Sequence, residues 1–107
     1  MSPALFTLDD WRHAVQTPEQ ARAVLTAWLY EMAADDPAWI ALCTPEQLQA
    51  QLQHLSALDP SQCPLYGVPF AVKDNIDVAG WPTTAACPAF AYTPSVSATA
   101  VQRLQAL

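Results

Sequence analysis

The sequence has little positive charge: four lysine and arginine residues stand against ten acidic ones among 107, for a net charge of −6. A protein that binds nucleic acid needs a basic patch for phosphate contacts, so composition argues against that class. No apolar run approaches the ~20 residues that cross a membrane. The N-terminus lacks the basic and long apolar stretches of a secretory leader. We therefore expect a cytoplasmic protein that binds neither nucleic acid nor membrane.

Glycine and cysteine are also scarce. With Gly67 and Gly80 as the two glycines, the sequence contains no glycine-rich phosphate loop, dinucleotide fingerprint or G-x-S-x-G motif. No C-x-x-C pair occurs, and the histidines lie far from any pair of cysteines, so a zinc site has little support. We expect free thiols at the three cysteines and packing or surface roles for the two histidines: Cys43, Cys63, Cys87, His13 and His54.

Charge divides the chain into two parts. Residues 1–60 hold eight acids and two arginines, whereas residues 61–107 hold two acids and two basic residues. The turn-forming sequence of residues 59–64 separates them. Only 13% of the residues are charged and 52% are hydrophobic, which suggests that some apolar side chains face a partner. We predict a helical lead-in over 1–60 and a second region with different chemistry over 61–107.

The first part has clear helix signals. Thr17 and Thr44 each begin a T-P-E-Q sequence, which predicts a capping box with proline at the first helical position. Apolar residues follow at spacings of three and four, as on one face of a helix. The sequence 35–37 is expected to end the first of these helices, and a shorter helix is predicted near 8–15. The two stripes are Ala21, Val24, Leu25, Trp28, Leu29 and Met32, then Leu48, Leu52 and Leu55.

In the second part, residues 61–107, the apolar residues no longer repeat at the helical spacing of three and four. We predict strands over Tyr66–Val72 and Ile76–Val78 and a loop of small residues over Thr83–Tyr92. Ser97 is expected to cap a last helix. That helix has no stop signal before Leu107, so we expect the chain to be a piece of a longer protein.

Lys73 is the only lysine, at the end of the apolar strand predicted for Tyr66–Val72. Desolvation by apolar neighbours lowers the pKa of an ammonium group and makes lysine a general base, although spacing alone favours an exposed, solvated lysine. Asp74 and Asp77 lie three apart across a predicted turn and could do acid–base work, but the better explanation is that Asp74 and Asn75 make turn hydrogen bonds to their own backbone. Thr83 and Thr84 are candidates to donate to a substrate, but such a pair more often orders its own loop.

No residue is a convincing nucleophile. Ser95 and Ser97 follow Lys73, and neither has the glycine neighbours that let backbone N–H groups surround an oxyanion. From the residues alone, the chain has a candidate base without a partner to activate.

The stretch 64–80, PLYGVPFAVKDNIDVAG, resembles the amidase signature family, and 82–94, PTTAACPAFAYTP, resembles the allophanate hydrolases within it. The resemblance implies an α/β fold, a large mixed sheet in a sandwich, of which this chain holds the N-terminal helices and first strands. Residues 61–107 would then begin the catalytic domain. The resemblance also implies hydrolysis of an amide C–N bond by three residues: a nucleophilic serine, a second serine with a cis peptide, and a lysine. That lysine corresponds to Lys73, and no cofactor is needed.

Further expectations follow from the resemblance. The substrate would be a small amide, allophanate, cleaved to ammonia and carbon dioxide in urea breakdown, with a functional link to a urea carboxylase and a homodimer as one arrangement of the intact enzyme. Both family serines lie beyond Lys73 in a Gly/Ser-rich segment that this sequence lacks, so we expect the chain alone to be inactive. Two alternatives stay open: another amidase-signature hydrolase or amidotransferase subunit, and a non-catalytic acidic helical interaction module.

Overall fold

A computed structural model describes residues 7–32 and 39–107. The chain forms two compact units, one ending at Pro69 and one covering Phe70–Leu107. Four α-helices are found in the described residues: α1 (Leu8–Ala14), α2 (Pro18–Glu31), α3 (Pro45–Ser56) and α4 (Thr99–Gln105). Short 3₁₀ helices cover Pro60–Gln62 and Pro88–Phe90. The predicted division into a helical lead-in over 1–60 and a catalytic-domain start over 61–107 stays a prediction.

The three predicted helices of the first unit are confirmed, and each has a threonine as its N-cap: Thr7, Thr17 and Thr44. Thr44 forms the complete capping box, because its hydroxyl accepts from the Gln47 N–H while the Gln47 side chain accepts from the Thr44 N–H. Thr17 accepts from the Gln20 N–H, but the Gln20 side chain reaches Gln16 instead, so half of the predicted box is present. The predicted end of α2 at 35–37 lies outside the described residues.

The core of the first unit lies where α1, α2 and α3 meet. The predicted stripes face inward, with Ala21, Leu48 and Leu52 buried beside Val15. Around them pack partly buried side chains: Trp11, Ala14, Val24, Leu25, Leu29, Cys43, Leu55 and Val68. The Trp11 ring also meets the ring of Trp28 edge to face at 4.9 Å. Burial of these apolar surfaces is the main stabilising contribution to this unit.

The segment that leads out of α3 packs on the same core. Tyr66 is buried and its hydroxyl donates to the carbonyl of Leu55. Gly67 has φ +72°, and a β-carbon there would lie 2.9 Å from the Cβ of Val15. Glycine is therefore required at this point both for the left-handed backbone and for the close approach to Val15.

The strands predicted over Tyr66–Val72 and Ile76–Val78 are a wrong prediction for this chain. All of these residues are described, and none is in a β-ladder. Several of their backbone bonds are local turns, such as Val68 N–H to Leu65 and Ile76 N–H to Lys73, and the one from Ala98 N–H to the Asp77 carbonyl joins no strand. A strand requires a neighbour to pair with, and in the described residues the one pairing is an isolated antiparallel bridge between Thr83 and Tyr92. The α/β class implied by the resemblance is therefore not confirmed by residues 7–32 and 39–107, which form helices and no sheet.

The cap predicted at Ser97 is also corrected. Helix α4 begins at Thr99 with Ala98 as its N-cap and has no side-chain cap. The Ser97 hydroxyl lies one residue too early and accepts instead from the N–H of Ala79 at 2.8 Å. In the part of the chain that the structure describes, no helix is both long and apolar enough to cross a membrane.

Candidate functional site

Lys73 lies in a turn at the start of the second unit. Its carbonyl accepts from the N–H of Ile76 at 3.0 Å, and its side chain is exposed. Among the described residues, no hydrogen-bond acceptor or acidic group pairs with the Lys73 ammonium. The apolar surroundings that would desolvate this lysine are thus not supplied by the unit itself.

Asp74, the next residue, is held by Thr84 on the opposite side of a loop. Its carboxylate accepts from both the hydroxyl and the backbone N–H of Thr84. Its backbone carbonyl accepts from the N–H groups of Thr84, at 3.2 Å, and Ala85, at 2.9 Å. The bond from the Thr84 hydroxyl is the main cause that lowers the pKa of Asp74, against an opposing contribution from desolvation. Asp74 is therefore an ionised acceptor at neutral pH.

Asp77, three residues after Asp74, also accepts a hydrogen bond from a threonine of the loop that follows. Its Oδ1 accepts from the hydroxyl of Thr83 at 2.9 Å and from the phenol of Tyr92. Thr83 and Tyr92 are themselves paired by two backbone bonds of 2.7 and 3.1 Å. The bond that Tyr92 donates to Asp77 raises the pKa of the phenol. This arrangement closes the loop between residues 83 and 92 at its base.

Within that loop, Ala85 and Ala86 have φ values of 50° and 60°, which L-residues with a side chain seldom adopt. Their N–H groups are used inside the loop, by the Asp74 carbonyl and the Thr84 hydroxyl. They are therefore not free to bind an anion. The bonds at the base of the loop hold this strained backbone in place.

The structure sorts the residues singled out from the sequence. The expectation that Asp74 bonds to its own turn is wrong, because its partner is ten residues further on. The expectation that Thr83 and Thr84 order their own loop is confirmed. Sequence reasoning missed Tyr92 as the partner of Asp77, since nothing in the spacing of 15 residues indicates contact.

The remaining candidates lie elsewhere or are engaged. The three cysteines are free, and burial raises the pKa of Cys43. His13 Nδ1 is 2.7 Å from the carbonyl of Asp9 within α1. Over residues 7–32 and 39–107, no three metal-ligating side chains come together. The apolar stripes of α2 and α3 are directed into the core, so they do not offer the exposed surface that an interaction module would use.

Comparison with known proteins gives a consistent result. A sequence model of the family described as "Amidase" matches residues 23–107. The chain is 47% identical over 105 residues to a urea amidolyase of Lachancea kluyveri, covering 94% of this chain. It is 35% identical over 96 residues, 85% of this chain, to a subunit of the glutamyl-tRNA(Gln) amidotransferase of Lawsonia intracellularis. An allophanate hydrolase structure from Kluyveromyces lactis superimposes with a TM-score of 0.78 at 38% identity over 94% of this chain.

The chain spans a small part of each of these proteins. It covers 6% of the urea amidolyase, 17% of the allophanate hydrolase chain and 20% of the amidotransferase subunit.

Proposed function

Because the chain belongs to the amidase family, we propose that it takes part in the hydrolysis of a carbon–nitrogen amide bond, with Lys73 as the general base. The observation that carries the proposal is the likeness to allophanate hydrolase over 94% of the chain. Lys73 is the one lysine available and stands in the V-K-D-N sequence on which the family resemblance rests. The substrate we propose is allophanate, and a urea carboxylase is the functional partner.

The chemistry would divide between this chain and residues that the sequence does not contain. Lys73 would take a proton from a serine with a cis peptide, which would in turn deprotonate a second, nucleophilic serine. The nucleophile would attack the amide carbon while backbone N–H groups hold the oxyanion. Ser95 and Ser97 do not replace these serines, because Ser95 lacks glycine neighbours and the Ser97 hydroxyl is used by Ala79.

Exposed apolar residues in the second unit support the proposal that this chain packs within a larger hydrolase. Phe90 is 57% exposed and Val96 is 66% exposed, although each would be better buried. Further segments of an intact hydrolase would cover this surface and supply the apolar wall that Lys73 lacks. The exposed set is Phe70, Ile76, Phe90, Tyr92, Val96, Leu104 and Leu107.

The test is a chimera in which this chain replaces the matching 17% of the Kluyveromyces lactis allophanate hydrolase. Ammonia release from allophanate is measured for the chimera and for Lys73→Ala and Lys73→Arg. We expect both variants to lose about 10³-fold in kcat, because removal of a general base costs 10²–10⁴-fold and arginine keeps the charge without accepting a proton.

Arg103→Ala is the matched control, since it removes an exposed cation from α4 without approaching the proposed chemistry. It should retain the activity of the chimera. Ammonia release by Lys73→Ala within about threefold of the chimera would contradict the proposal. Hydrolysis by the purified 107-residue chain that Lys73→Ala abolishes would keep Lys73 as the base and contradict the division of the chemistry between this chain and residues outside it.

The amidotransferase likeness supports a second candidate, in which this chain serves in an amidotransferase subunit. Grafting this chain into the matching part of that amidotransferase separates the two. Activity in the hydrolase graft alone would favour allophanate hydrolysis, and activity in the amidotransferase graft alone would favour the amidotransferase role.

A further inference from the structure

We infer that Asp74 and Asp77 are positioning residues for Lys73, each fixing one side of its turn by holding a threonine of the neighbouring loop. The inference rests on the proposed function for its catalytic meaning. Its geometric content, that two threonine–aspartate pairs order the backbone at Lys73, does not depend on any activity.

Asp77 joins three segments of the second unit. Its carboxylate accepts from Thr83 and Tyr92, and its backbone carbonyl accepts from the Ala98 N–H at 2.9 Å, at the start of α4. Thr83 is 2% exposed and is the one buried polar side chain among the described residues. A buried hydroxyl without a partner is costly, so Thr83 and Asp77 are tied to each other.

Asp74 fixes the turn from the adjacent position. Both carboxylate oxygens and the backbone carbonyl of Asp74 are used by Thr84 and Ala85. Lys73, whose carbonyl is held by Ile76, therefore sits directly beside a residue that is anchored by main chain and side chain together. Fixing this backbone limits the directions that the Lys73 side chain can take, which is what placing a general base requires.

The same bonds argue against other roles for these side chains. Thr83 and Thr84 direct their hydroxyl protons at the two carboxylates and so cannot donate them to a substrate. Asp74 has no oxygen without a donor. An acid–base carboxylate needs an oxygen turned towards the reacting group, so holding the turn is the role that these contacts support for Asp74 and the two threonines.

The single lysine makes the inference directly measurable. Labelling the full chain with [¹⁵N]lysine yields one backbone resonance, that of Lys73. We expect an order parameter of about 0.85, the value of rigid backbone, and a value below about 0.6 in Thr83→Val and Thr84→Val. Valine keeps the shape and removes the donor. Thr83→Ser and Thr84→Ser, which keep the hydroxyl, should restore the order.

Thr99→Val is the matched control, because the same replacement is made at an exposed position in α4. It should leave the Lys73 resonance unchanged. An order parameter below about 0.6 in the unsubstituted chain would overturn the inference, and so would rigid backbone in both valine variants. If one valine variant fails to fold, judged by loss of the helical circular dichroism signal, the other and the two serine variants decide.

The chimera tests the catalytic consequence. Thr83→Val should lower kcat for allophanate by on the order of tenfold with KM within about twofold, because misplacing a catalytic group slows the chemical step. Thr83→Ser should recover kcat. Unchanged kcat in Thr83→Val, with Lys73→Ala inactive, would overturn the inference and leave the proposed function standing. Full activity in Lys73→Ala would instead overturn the proposed function, while the order parameters still decide the geometric part.

Discussion

The two units of this chain are stabilised in different ways. The unit that ends at Pro69 has three helices around a shared apolar core, with buried side chains contributed by α2, α3 and the segments beside them. In the unit Phe70–Leu107, Val101 is the buried apolar side chain among the described residues. Its loops are held instead by specific hydrogen bonds that the side chains of Asp74, Asp77 and Ser97 accept.

The difference indicates where the chemistry is placed. Apolar packing tolerates exchange of one side chain for another of similar size. A loop held by a few hydrogen bonds depends on particular atoms, and it can present a polar side chain to a substrate. Lys73 lies in the second kind of unit, so we expect replacements to act through stability in the first unit and through the order of one turn in the second.

The largest expected effect is in the helical core. Leu52 is 4% exposed in α3, and Leu52→Ala should reduce the free energy of unfolding by about 3 kcal/mol, from lost burial plus the cavity left behind. Leu104→Ala, at a position 42% exposed in α4, should cost less than about 1 kcal/mol. Urea unfolding followed by helical circular dichroism measures both. Equal losses of unfolding free energy in the two variants would show that the burial of Leu52 does not make the first unit more dependent on apolar packing than the second.

The two glycines provide the next comparison. Both have positive φ, so alanine at either position should cost about 1 kcal/mol in backbone conformation. Gly67→Ala must also displace Val15, 2.9 Å from the new β-carbon, whereas nothing lies within 4 Å of a β-carbon at Gly80. We expect roughly 2 kcal/mol for Gly67→Ala and half of that for Gly80→Ala.

Unfolding free energies from urea titration of both glycine variants test this ranking. A larger loss for Gly80→Ala would mean that the close approach of Gly67 to Val15 does not constrain the chain.

The sequence predicts the helical unit well because its signals are local. The threonines at 17 and 44 start helices, and spacings of three and four identify the inward faces of α2 and α3. What it does not predict is set by contacts between distant residues. Gln20 reaches Gln16 rather than completing its box. Strand propensity around Tyr66 produces no strand without a neighbour to pair with.

The candidate site shows the same limit. The family resemblance around Lys73 singles out this lysine as the proposed base. The contacts in the loop beside it come from residues 83, 84 and 92. No periodicity links an aspartate to a threonine ten residues later. Ser97 likewise matches the local pattern of a helix cap, but its hydroxyl accepts from a more distant partner, the Ala79 N–H.

The smallest expected effect is a pH dependence confined to the second unit. The hydrogen bond from Thr84 lowers the pKa of Asp74 below its unfolded value, so its contribution to stability is present above about pH 4 and is lost as the pH falls through the lower, folded value. The order parameter of the [¹⁵N]Lys73 amide should therefore decrease between pH 6 and pH 3. Solvent can replace the bond at this exposed carboxylate, so the change should be modest.

Asp74→Asn separates this effect from other titrations, since the amide keeps an acceptor oxygen and does not ionise. The variant should show a flatter acid response at Lys73. Asp59, whose pKa is also lowered by bonds from Ser61, belongs to the other unit and remains in the variant. An identical acid response in both proteins would show that the Asp74 carboxylate does not cause the loss of order and would remove Asp74 from the set that fixes the lysine. A flatter response would place the pH sensitivity of the turn on the carboxylate beside Lys73.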